Sequence, residues 1–276
     1  MLGKSPVFVV RLIGGLGNQL FQIQYGLSLI KKWGGKLSFD DSFFLRAKQI
    51  HEVIVTGELV KKYDIITLGF FQLKIIRSFQ RLAYKLGIRL PKFFSPYYIF
   101  SNDDNLHPSS GVYIVDGFWQ SKEFLSEEFM EMMREQLLIQ NHEEESSYVC
   151  VHIRRGDYLI NSNASVLHMD YYQKAIELFK DKIENPRFCI FSDDEPWIKT
   201  VFFGDPRIII MPTAKLSPLE VLKSMSSYKN YIIANSTLSW WAATLSRANR
   251  KMVILPKQWG NGLDSYNFSL DGWIQL

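Results

Sequence analysis

Residues 148–158 read YVCVHIRRGDY, an apolar run that ends abruptly in His152, Arg154, Arg155 and Asp157, with Gly156 supplying a turn. Two guanidinium groups at such a point are suited to bidentate contact with phosphate oxygens. The same spacing also permits an internal Arg–Asp ion pair at a strand end, and the residues alone leave both readings open. Two further polar clusters follow apolar runs in the same manner. Ser192-Asp193-Asp194 comes after FCIF at 188–191, and Asn235-Ser236-Thr237 after YIIA at 231–234. The aspartate pair has three readings: ligands for a divalent cation, acceptors for a ribose or purine N–H, or, at Asp194, a helix cap. With two arginines present to neutralise phosphate, base or ribose recognition plus a cap is preferred over metal. Hydroxyls at Ser236 and Thr237 either cap the following helix or hold an anion at its N-terminus. Trp240 and Trp241 in that helix read as core rather than as a substrate platform. Together the three clusters describe a nucleoside-diphosphate site at neighbouring strand ends.

The elements needed to position them are an alternating series. Candidate strands at 148–152, 187–192, 207–211, 231–234 and 252–255 alternate with helices near 170–180, 196–202, 218–227 and 237–247, which predicts a parallel sheet. In such sheets ligands bind beyond the carboxyl ends of the strands. Upstream, a strand at 7–13 runs into GGLGN at 14–18 and a helix from about 19 to 32, half of a βαβ unit whose free amides face an anion. That turn lacks the full dinucleotide fingerprint, so a plain strand-to-helix turn is an equal reading. Strands at 36–40 and 112–115 and a helix near 126–139 complete the first half. The polar run 141–147 reads as the linker, giving domains 1–144 and 145–276.

The chain of 276 residues is 47% hydrophobic and 22% charged, a globular composition with length for two domains. A net charge of +4 makes no demand for nucleic acid as partner. Cys150 and Cys189 both sit in apolar runs and read as reduced core residues. No apolar stretch reaches transmembrane length, the N-terminus does not read as a signal peptide, and the sequons at Asn163, Asn235 and Asn267 are then incidental. The expected location is intracellular. Positions 61–92 carry eight basic residues against one acid, with Ile75, Phe79, Leu82 and Leu86 at helical spacing. That is a basic amphipathic helix, suited either to an anionic membrane face or to a solvated surface.

HIRRGDY at 152–158 resembles the signature of the α-1,2-fucosyltransferases, inverting enzymes that use GDP-fucose. GGLGNQLFQ at 14–22, DGFWQSKEF at 116–124, HMDYYQKAI at 168–176, FSDD at 191–194, IIANSTLSWW at 232–241 and PKQW at 256–259 resemble that family's motifs in the same order. The resemblance implies an α/β, two-domain glycosyltransferase fold of the B type, with the nucleotide held by a parallel sheet in the C-terminal half. It implies that Arg154 and Arg155 hold the diphosphate and that Asp193 and Asp194 contact ribose or guanine. Ser236 and Thr237 would add phosphate contacts, Asn235 would belong to the same donor site, and Asn18 would approach from the first domain. No metal is implied. The chain departs from the pattern at Ser226 to Tyr231, where relatives carry an acidic residue and a Cys-Lys-His run, and at Ala242, where a glycine is expected.

The expected reaction is transfer of L-fucose from GDP-fucose to the 2-hydroxyl of a galactose-like acceptor, in bacterial surface polysaccharide or O-antigen synthesis on a lipid-linked glycan at the cytoplasmic membrane face. Arg154 stabilises departing GDP. Asp157 and His152 are the candidate catalytic partners, although Asp157 equally serves to orient a guanidinium and His152 to support the strand. The rival classes are a non-catalytic GDP- or sugar-binding relative, a fucosyltransferase of different linkage, and a membrane adaptor built on 61–92.

Overall fold

The computed structural model describes residues 5–46, 64–66, 82, 85–86, 97–99, 108, 110–139, 147–160, 165–260 and 263–276. Most of the basic segment 61–92, the run 141–146 and the sequon at Asn163 lie outside them. The chain divides into two units, Met1–Ser126 and Glu127–Leu276, each with its own sheet.

In the first unit, β1 (Pro6–Arg11), β2 (Lys36–Asp40), β3 (Asp64–Ile66), β4 (Tyr97–Ile99) and β5 (Gly111–Val115) form one sheet in the order β3-β2-β1-β5-β4. Every pairing is parallel. Helix α1 (Leu16–Trp33) follows β1, and the short α2 (Ser42–Arg46) follows β2. The chain passes from β1 outward through β2 and β3, then returns on the other side through β4 and β5. The order therefore reverses between β1 and β5. At that point Gly14 takes a φ of 76°, and a Cβ there would lie 2.7 Å from Asn18 Nδ2. Only glycine meets both demands. The turn is tied down by glutamines that face inward. Gln22 accepts from Ile13 N at 3.0 Å and donates to Gly117 O at 3.1 Å, while Gln19 donates to Gly14 O at 3.1 Å. Gln120 Nε2 donates to Asn18 Oδ1 at 2.7 Å.

The second unit begins with α3 (Glu127–Gln136) and contains β6 (Tyr148–Ile153), α4 (Met169–Lys180), β7 (Arg187–Ser192), α5 (Glu195–Val201) and β8 (Ile208–Ile210). It continues through α6 (Pro218–Met225), β9 (Asn230–Ile232), α7 (Thr237–Leu245), β10 (Met252–Leu255), the small β11 (Gln258–Gly260) and β12 (Leu263–Asp264) pair, and β13 (Ile274–Gln275). Its main sheet has the order β13-β10-β9-β6-β7-β8, all parallel. Counted from β6, this is the doubly wound nucleotide-binding order, with its switch point between β6 and β9. The strands are buried on both faces, which is why they read as unbroken apolar runs rather than as alternation. In α4, Tyr171, Tyr172, Ala175, Ile176 and Phe179 fall on one stripe and cover the sheet. Helix α7 is buried from Ser239 to Leu245, so Trp240 and Trp241 are core, packed edge to face at 5.1 Å. Ser217 and Glu220 form a capping box that starts α6.

The sequence places the domain boundary at 144/145, whereas the structure divides the units at Ser126/Glu127. The reason is the packing of α3. Phe129 meets Trp241 at 5.7 Å, Arg134 donates to the Leu245 carbonyl at 3.0 Å, and Arg247 donates to the Ile139 carbonyl at 3.0 Å. Glu131 also pairs with Arg247. The helix is thus built into the second unit. Cys150 and Cys189 face each other in register on β6 and β7 as free, buried thiols.

At the carboxyl end of β1, Arg11 bridges two buried carboxylates, Asp40 at 3.0 Å and Asp116 at 3.3 Å. Removing the guanidinium leaves both carboxylates buried without it. Arg11→Met is expected to cost about 3 kcal/mol in urea unfolding. A variant as stable as the wild type would show that this ion triad does not hold the edge of the first sheet.

Candidate functional site

The parallel register brings the three polar clusters of the second unit level with one another. Ile153 pairs with Ser192, so Arg154 stands opposite Asp193. Val151 pairs with Ile232, and three residues further on each chain Arg154 stands level with Asn235. The switch point between β6 and β9 is therefore lined by Arg154, Arg155, Asp193 and Asn235, with Ser236 and Thr237 opening α7 beside them.

In the structure both guanidinium groups rest on carboxylates, the Arg–Asp arrangement that the sequence left open. Arg154 spans Asp157 at 2.6 Å and Asp193 at 2.8 Å. Arg155 pairs with Asp194 at 3.0 Å, and its backbone N–H donates to Asp193 at 2.8 Å. Its guanidinium carbon stands 3.7 Å from the ring centre of Trp197, a cation–π stack that fixes the plane of the side chain. Tyr158 lies beneath Arg154 at 5.5 Å and donates its hydroxyl to the Asn235 carbonyl at 3.1 Å, tying the loop after β6 to the loop after β9. Asp194 also caps α5 by accepting from Trp197 N at 3.2 Å, as the capping alternative requires. Gly156 follows the arginine pair and gives Asp193 room to approach. A Cβ there would lie 2.6 Å from an Asp193 oxygen, so any larger residue forces the carboxylate off its partners.

His152 lies inside the strand and is buried. Burial, reinforced by the charge of Arg154, pushes its pKa down to about 4. Among the described residues its Nδ1 has no hydrogen-bond partner, nor has the buried Oδ1 of Asn235. Both orphan atoms belong to residues at the switch-point edge between β6 and β9. Ser236 is the N-cap of α7, yet its side chain makes no capping bond. Asn18 belongs to the first unit and is held there by Gln120. Its place in the donor site is an expectation from the resemblance alone.

The sequence reading passed over Trp197 and Gln22. Trp197 sits one turn into α5, on the helix that Asp194 caps, and an aromatic at that offset from Asp193-Asp194 is the only signal it gives. The departures from the family pattern fall largely in packed positions, with Ser227 exposed. Ser226 and Ala242 are fully buried, and the Tyr228 carbonyl accepts from Tyr231 and Ser246.

A family model described as glycosyl transferase family 11 matches residues 105–275. An Escherichia coli protein named O-antigen biosynthesis glycosyltransferase WbnK is 30% identical, over 96% of this chain and 99% of its own. An Escherichia coli alpha-1,2-colitosyltransferase is also 30% identical, over 98% of this chain and 99% of its own. Among solved structures, Arabidopsis thaliana FUT1 in complex with GDP is similar in fold, with a TM-score of 0.51 at 10% identity, covering 91% of this chain and 70% of that one. Two α/β units on parallel sheets make up the B-type glycosyltransferase architecture.

The depressed pKa of His152 has a consequence for stability. Between about 4 and its ordinary 6.5 the unfolded chain binds the proton and the folded chain does not. Stability is therefore full above the ordinary value and is lost as pH falls through this window, by on the order of 3 kcal/mol for this group. Urea midpoints at pH 7 and pH 4.5 are expected to differ less in His152→Gln than in the wild type. Equal differences would place the acid sensitivity elsewhere.

Proposed function

The chain belongs to glycosyl transferase family 11, and from that premise we propose that it transfers L-fucose from GDP-fucose to the 2-hydroxyl of a galactose-like acceptor in the assembly of a surface polysaccharide such as an O antigen. The observation that carries the reading is the pair Arg154 and Arg155 at the switch point of a doubly wound sheet, beside the N-terminus of α7. The ordered fucosyltransferase motifs support the sugar, and the name of the relative WbnK supports the O-antigen setting.

In this reading the diphosphate of GDP lies against Arg154 and Arg155, with Ser236, Thr237 and the amides of α7 on its other side. Asp193, Asp194 and Asn235 face the ribose and base. As the bond from the sugar C1 to the phosphate oxygen breaks, its electron pair moves onto departing GDP. Guanidinium groups already fixed by Trp197 and Tyr158 stabilise that charge more than they stabilise the intact donor. The acceptor hydroxyl attacks C1 from the opposite face, its proton passes to solvent as the new bond forms, and the configuration inverts. His152 is buried inside the strand and neutral at neutral pH, its pKa pushed down to about 4 chiefly by burial. It is read as a nucleotide contact. Two arginines supply the positive charge that a divalent ion gives elsewhere, so no metal is needed.

A second reading is favoured by the colitosyltransferase relative, which is also 30% identical. Colitose is the L-fucose skeleton without its 3-hydroxyl, so a colitose donor would use the same diphosphate clamp. Peripheral contact with an anionic membrane face, where a lipid-linked acceptor would stand, is supported by the exposed Leu82 and Leu86 beside the basic residues of 61–92. Among the described residues no helix is long and apolar enough to cross a membrane.

The test is release of GDP from GDP-fucose and from GDP-colitose, with and without lactose and other β-galactosides. Acceptor-dependent release from GDP-fucose is expected, undiminished by EDTA and lowered about 100-fold or more in Arg154→Ala. Release from GDP-colitose alone would select the second reading. Release from neither, by a folded chain that binds GDP, would remove catalysis from the account.

A further inference from the structure

The arginine pair faces more negative charge than it carries. Arg154 and Arg155 stand against Asp157, Asp193 and Asp194, two cations against three carboxylates. A diphosphate brings further negative charge, and both terminal nitrogens of Arg154 already hold carboxylates, so a phosphate oxygen that takes either nitrogen displaces one of them.

The three carboxylates are not equally free to leave. Asp194 is committed twice over, to Arg155 and to the first turn of α5. Asp193 accepts from the Arg155 backbone as well as from the Arg154 side chain, and it packs against Gly156, where no Cβ intervenes. Asp157 has a single ion-pair partner among the described residues, the outer nitrogen of Arg154 at 2.6 Å. It is also the most exposed of the three, at 51% against 25% and 24%. It stands at the start of the 3-10 turn Asp157–Leu159, directly after Gly156. When Asp157 leaves, Arg154 keeps Asp193 on one side and the Tyr158 ring beneath it.

We propose that Asp157 is an internal stand-in for the donor diphosphate: it occupies Arg154 between turnovers, yields to the incoming nucleotide, and by returning to Arg154 speeds the departure of GDP after transfer. The inference rests on the GDP-sugar reading above. It also separates two roles for this carboxylate. A group that shares a guanidinium with the leaving diphosphate lies on the leaving-group side of the sugar, whereas an inverting transfer needs its proton acceptor on the other side. Asp157 therefore acts on the release of product and not as the base.

The two roles predict opposite behaviour toward GDP alone. Removing a competing charge tightens nucleotide binding, while removing a purely supporting residue loosens it. The experiment is stopped-flow dissociation of a fluorescent GDP analogue from the full-length chain, for the wild type, Asp157→Asn and Asp157→Glu. The half-exposed ion pair sets the scale. Asp157→Asn is expected to release the nucleotide about three- to fivefold more slowly, and Asp157→Glu, which keeps the charge, to release it near the wild-type rate. Release from Asp157→Asn as fast as from the wild type, or faster, overturns the proposal while leaving the donor site in place. A folded wild-type chain that binds no GDP overturns the donor reading and this inference with it.

Discussion

Arg155 is held on three sides, by the Asp194 carboxylate, by the face of Trp197 and through its own backbone N–H by Asp193. The loop after β6 cannot move without breaking one of these contacts, and the other parts of the edge are arranged around it. Asp194 doubles as the cap of α5, which brings Trp197 within reach of the guanidinium. Gly156 gives Asp193 the room to approach. Tyr158 then carries the same constraint across the switch point to the Asn235 carbonyl and so to the start of α7. Two partly buried guanidinium groups are costly side by side unless they are satisfied, and here the bonds that satisfy them also position other residues of the edge.

The first unit solves a related problem with amides. Its switch point, between β1 and β5, is crossed by Gln22, which bonds both the Ile13 backbone and the Gly117 carbonyl as a third strand would. Below it Arg11 gathers Asp40 and Asp116 from the neighbouring strands. Trp119 takes a φ of 55° and stacks on Tyr25 at 3.9 Å, so its strained backbone is offset by a large aromatic contact. Each unit therefore fixes its sheet edge with polar side chains, charged and partly exposed in the second and largely neutral and buried in the glycine turn of the first.

Much of this was legible in the residues. A parallel sheet buried on both faces demands continuous apolar strands, which is why 187–192 and 252–255 could be placed to the residue and why the charged clusters could be assigned to a common edge. Other features depend on contacts that no local pattern displays. The polar run at 141–147 looked like a linker, but Phe129 and Arg134 bind α3 to α7, and that pairing spans more than a hundred residues. The two-residue β13 is an edge strand defined only by its bonds to β10. Gln19 and Gln22 break the apolar pattern of α1 because they serve the backbone of the adjoining turn, and Gln24 because it donates to the distant Phe124 carbonyl. The residues gave Arg154 and Asp157 without saying whether they face each other or a ligand. That depends on side-chain geometry three residues apart in a tight turn.

The central claim is that the edge between β6 and β9 receives a guanosine diphosphate through Arg154 and Arg155. A crystal structure of the chain with GDP tests it most directly. The account predicts pyrophosphate oxygens within hydrogen-bonding distance of both guanidinium groups and of the first amides of α7. The Arg155 stack on Trp197 should be intact and Asp193 still at the Arg155 backbone. GDP bound elsewhere on the chain, with the Arg154 and Arg155 ion pairs undisturbed, would contradict it.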